Sequence, residues 1–141
     1  MKLIWVILFI GLLCGISRSE AAEKDSYQIV KEMVRKMRQI ILSVLEEMPS
    51  TFAYHKYKQD WKAVLRIYHE HIDNEKCIRK VNRIVKAYGN HMTSYMKDNA
   101  PAEEKELLKL FLKHGFNEFT NKYGKLIQTA KDPEYEVVES C

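Results

Sequence analysis

The side chains that invite a chemical reading are five histidines, three cysteines and one dense block of cations. His69-Glu70-His71 comes nearest to a metal motif. On a helix, residues two apart point about 200° away from each other, so the two imidazoles do not share an ion. His55, His91 and His114 stand in no fixed spacing to that pair. The sequence contains no Gly-x-Ser-x-Gly, no His-Glu-x-x-His, no phosphate loop and no paired-carboxylate signature. A non-enzymatic protein without metal or cofactor is therefore expected.

The cations are more suggestive. Lys76, Arg79, Lys80, Arg83 and Lys86 place five positive charges in eleven residues. Counted from Ile78 on a helix, they fall between about 80° and 200°, opposite the apolar side. Such a face suits a sulfated glycan, an anionic lipid surface or an acidic patch on a protein. The plainer alternative is a solvated surface, neutralised by Asp132, Glu134, Glu136 and Glu139. Nucleic acid is not an expected partner, because the chain reads as secreted and its net charge is only +4.

Secretion follows from the first residues. Lys2, an apolar run from Leu3 to Ile16, and Ser17-Arg18-Ser19-Glu20-Ala21-Ala22 describe a signal peptide cut after Ala21. The apolar run is shorter than the ~20 residues of a comfortable bilayer span. Residues 1–21 are thus read as the signal, 22–131 as one helical domain, and 132–141 as an acidic tail ending in Cys141. Removing Lys2, Arg18 and Glu20 leaves a mature net charge of about +3. No Asn-x-Ser/Thr sequon occurs.

Cleavage also removes Cys14 and leaves Cys77 and Cys141. In an oxidising compartment an even pair implies one bridge. It would close a loop of 65 residues and contribute up to ~4 kcal/mol in the chain-entropy model. The alternatives are a buried free Cys77, with Cys141 free or joining two chains. A bridged monomer is the expectation.

These groups need elements to hold them. Tyr27, Val30, Met33 or Val34, Met37, Ile40 or Ile41, Val44 and Met48 recur at steps of three and four. They form an amphipathic helix capped at Asp25 or Ser26 and stopped by Pro49-Ser50-Thr51. A second helix runs from about Phe52 to Ile72, with Tyr54, Tyr57, Trp61, Val64, Leu65, Tyr68 and Ile72 on one aromatic-rich face. Asp73-Asn74-Glu75 turns the chain into a third helix carrying Ile78, Val81, Ile84 or Val85, Tyr88, Met92, Tyr95 and Met96. Pro101 to Ala130 reads as a fourth helix, unbroken, apolar on nearly every side in its first half, and the one that organises the rest.

Four helices joined by short turns imply an all-α, up-down-up-down four-helix bundle after a cleaved signal peptide. An uninterrupted fourth helix of about 45 Å would overshoot the third by about 9 Å, and the ten-residue tail would fold back to Cys77.

Two classes of function fit this outline. In the first, a small secreted bundle binds an extracellular protein, as a cytokine-like signal or a salivary or venom-type inhibitor of a host system does. Besides the basic face, its contact candidates are Leu107, Leu110, Ile67 and Leu42, apolar residues off their helices' core stripes. In the second, the bundle opens to carry a lipid or another small apolar ligand. Broad stripes, core-facing aromatics and six methionines permit that.

Overall fold

The computed structural model describes residues 18–128 and is all-helical over that span, with five helices. We label them α1 (Arg18–Glu47), α2 (Phe52–His71), α3 (Glu75–Tyr95), α4 (Ala102–Lys113) and α5 (Phe116–Gln128). The expected signal core and acidic tail lie outside the described residues. So do the side chains of Ile78, Arg79, Ile84, Val85 and Tyr88 on α3. No described helix is long and apolar enough to cross a membrane.

The stripe read for the first helix is the buried one. Val30, Met33, Val34, Met37, Ile40, Ile41, Val44 and Met48 all lie in the core. The helix starts earlier than Asp25, however, running without interruption from Arg18. Glu20, Ala21, Ala22, Glu23 and Lys24 are strong helix formers, and nothing in them forces a start at Asp25. The expected cleavage point after Ala21 therefore falls inside the first turns of α1.

α1 and α3 each pack against all four other helices, so these two are the central elements rather than the 101–130 stretch. Met33, Val34, Ile41 and Val44 are wholly inaccessible there. Burying side chains of this size contributes about 1.5–3 kcal/mol each.

The turns between helices follow local chemistry. Thr51 is the N-cap of α2 in extended conformation, although its hydroxyl makes no capping bond. Asn74 caps α3 by accepting from the Lys76 amide at 3.1 Å, satisfying one of the orphan donors of the first turn. Pro101 precedes α4, and Glu103 and Glu104 sit in its first turn, where the helix dipole favours anions.

The expected unbroken fourth helix is two helices. Gly115 has φ +96°, a left-handed conformation that ends α4. The amides of His114 and Gly115 turn back to the carbonyls of Leu110 and Leu112. The Phe119 amide then bonds to the Gly115 carbonyl and opens α5. The break divides the stretch at Gly115, and the overshoot expected past the third helix falls on chain outside the described residues.

α4 reaches across from α2 to the end of α1. At its start Tyr57 donates to Glu104 at 3.2 Å, and at its end Glu47 takes both Lys113 and His114. A chain of aromatic contacts follows the same path through Trp61, Phe111, Phe116, Phe119 and Tyr123.

Candidate functional site

The basic arc of α3 is less open than its angular position implies. Lys76 is exposed, while Lys80, Arg83 and Lys86 are half-buried, and none of those three is free of partners. Lys86 donates to the Gln128 carbonyl at 3.4 Å, where the end of α5 lies against the arc. The side chain of Arg79 lies outside the described residues. A single helical wheel cannot foresee this, because a neighbouring helix end covers part of the polar side.

The same bond brings the C-terminal end of α5 opposite Lys86, nine positions along α3 from Cys77. At 1.5 Å per residue that is about 13 Å, within reach of the following residues of chain. Cys77 is buried at 1 % exposure and its sulfur is not free. Cys141 lies outside the described residues.

The four apolar contact candidates divide sharply. Leu107 is fully buried and Ile67 nearly so, both within the core. Leu110 is half-buried and packs against that core. Leu107 is therefore not a surface contact, and neither is Ile67. The reason is tertiary: α4 touches α1, α3 and α5, so residues off its main stripe also meet neighbours. Only Leu42, at 39 % exposure, stays substantially open.

Among the described residues, the most exposed large apolar one is a residue that the apolar stripes leave out. Phe52, at the first position of α2, is 96 % exposed. By helical spacing it lies on the side opposite Tyr57, Trp61, Val64 and Tyr68. Beside it opens a shallow cleft of about 350 Å³ lined by Pro49, Ser50, Thr51, Phe52, His55 and Lys58. Lys58 is tied to this rim through the Ser50 hydroxyl at 3.2 Å. The sequence signal for the site was present: an aromatic residue directly after a Pro-Ser-Thr turn, out of phase with its own helix.

The chain matches no known family model, curated protein or solved structure. Its function must be argued from its own surfaces.

A second cleft, of about 300 Å³, lies where α1 meets the joint between α4 and α5, lined by Lys36, Gln39, Ile40, His114, Gly115, Glu118, Phe119, Lys122 and Tyr123. Two of its lining residues, His114 and Lys122, are engaged by carboxylates of α1. Glu32 accepts from Lys122 and from the Tyr123 hydroxyl, each at 2.8 Å, and the Lys122 bond holds its carboxyl below the usual range. Glu47 is likewise lowered, first by its bond to Lys113.

His69 is exposed and His71 half-buried. His71 Nε2 stands 3.9 Å from Glu70, beyond hydrogen-bond reach. Among the described residues no cluster of three or more His, Cys, Asp or Glu is arranged to hold a metal.

Proposed function

We propose that this is a small secreted, helical binding protein that recognises an extracellular protein through the α1–α2 end of the fold. One observation supports the reading above the others: Phe52 projects almost entirely into solvent from a helix start held by its own turn. Aromatic residues are favoured as buried anchors at protein interfaces, because each removes a large area from water at low conformational cost. His55 and Lys58 beside it favour a partner pocket with an acidic rim.

The basic arc of α3 serves in this reading as a secondary, salt-sensitive contact, to protein or to a sulfated glycan. Its half-buried, partnered lysines and arginine suit it less well for the principal role. A monomer cut after Ala21 and closed by Cys77–Cys141 completes the proposal.

The alternative, an extracellular carrier of a lipid or apolar ligand, has less support. The described core is filled by the protein's own side chains, with Trp61, Tyr68, Phe111, Met33, Met37 and Met92 fully buried.

Affinity capture from extracellular fluid and cell surfaces, run in parallel with wild-type protein and Phe52→Ala, tests the proposal. A protein retained by the first and lost by the second supports it. Equal retention by both removes Phe52 as the anchor. Organic extraction of purified protein followed by mass spectrometry tests the carrier reading.

A further inference from the structure

A third cleft, of about 360 Å³, opens between α2, the end of α3 and the start of α4. Its size falls within the ~300–1,000 Å³ range of small-molecule sites. Its walls carry a chemistry unlike that of the other two. Tyr57 and Tyr95 meet edge to face, ring centroids 6.2 Å apart and planes at 85°, forming an aromatic corner. Trp61 also lines the cleft and is nearly inaccessible. Asp60 and Glu104 stand at the same cleft, with Glu104 accepting from the Tyr57 hydroxyl at 3.2 Å.

The electrostatics point the same way. Burial, and after it the Glu104 charge, raises the Tyr57 hydroxyl, with Glu103 and Asp60 adding to the effect. Tyr95 is raised first by burial, and the charges acting on it are again Glu104 and Asp60. Lys56 and His91 also line the cleft, and both are exposed. The floor is thus aromatic and the field at its hydroxyls is set by carboxylates. Aromatic faces attract a cation through their quadrupole, and desolvation strengthens the attraction. Carboxylates alone would favour any cation, whereas rings select one with an apolar body.

We propose that the Tyr57–Trp61–Tyr95 cleft binds a small organic cation, an ammonium group carried on a compact apolar body. Asp60 and Glu104 supply the counter-charge, and Tyr57, the half-buried ring of the three, supplies the face on which the cation rests, backed by Tyr95 and Trp61. The inference is independent of Phe52, which lines a different cleft.

The test uses the secreted protein and two probes of nearly equal shape. Choline is titrated against it, followed by Trp61 emission and by calorimetry, and 3,3-dimethyl-1-butanol serves as the uncharged counterpart. Saturable choline binding, with the neutral alcohol at least tenfold weaker, is the expected result. In Asp60→Asn/Glu104→Gln, whose melting should match the parent, choline affinity should fall at least tenfold. Absence of saturable choline binding overturns the proposal, as does equal affinity for the alcohol. Unchanged choline affinity in a folded double variant overturns it too. If the double variant does not fold, the probe pair on the parent protein decides alone.

Discussion

Trp61 and Phe111 stack at a 50° tilt with ring centroids 4.8 Å apart, and this contact joins α2 to the short α4. Both rings are essentially inaccessible to water. Phe111→Ala should therefore destabilise the protein by about 3–5 kcal/mol, the cost of a large core truncation and its cavity. Denaturant unfolding measures it, and a loss below about 1 kcal/mol would show that α4 is not anchored there.

Two glycines should respond in opposite directions. At Gly115 the positive φ penalises any β-carbon, so Gly115→Ala should destabilise by about 1–2 kcal/mol. At Gly89, inside α3, an added β-carbon meets nothing within 4 Å, so Gly89→Ala should stabilise by up to ~1 kcal/mol. Were 101–130 one continuous helix, both substitutions would stabilise. Paired thermal melts separate these cases.

Three surface carboxylates make stability fall in acid. Glu32, Glu47 and Asp73 are each lowered, mainly by bonds to Lys122, Lys113 and Lys31 respectively. A lowered folded-state value means that the stabilisation is complete above the unfolded value, near 4.5 for Glu and 3.8 for Asp. It is lost as pH falls through the lower folded value. Melting temperature should thus drop between about pH 5 and pH 2, and Glu47→Gln should flatten part of that drop. All three groups are exposed, so added salt should weaken the effect.

Leu107 and Phe52 should behave as opposites. Leu107→Ala should cost about 2–5 kcal/mol, because it removes a fully buried side chain. Phe52→Ala should change stability by no more than about 0.5 kcal/mol, and should abolish partner capture. A folded, fully binding Phe52→Ala protein would move the contact elsewhere.

The bridge proposed between Cys77 and Cys141 is read by non-reducing peptide mapping of the secreted monomer. One linked peptide pair is expected, together with an N-terminus at or near Ala22. A Cys141-linked dimer, two free thiols, or recovery of the chain with Met1 attached would each count against the proposed processing.

Helical class and most of the core were legible from residue spacing alone. The stripe of α1 from Val30 to Met48 is buried as read, as are Trp61, Val64 and Tyr68 of α2. A 3.6-residue period records which side of an amphipathic helix must leave water, and that demand is local. The break at Gly115 was also local, a glycine just after a basic helix end, but the apolar positions on either side kept nearly the same phase and concealed it. What periodicity could not contain was the identity of each helix's neighbours. Leu107 is core because α4 has helices on several flanks, Lys86 is partnered because α5 runs beside it, and α1 and α3 are central because each is packed by all four others. The cleft shared by Tyr57, Tyr95 and Glu104 is decided the same way. Its residues lie 38 and 47 positions from Tyr57 along the chain, and only the packing of α2 against the α3–α4 turn brings them together.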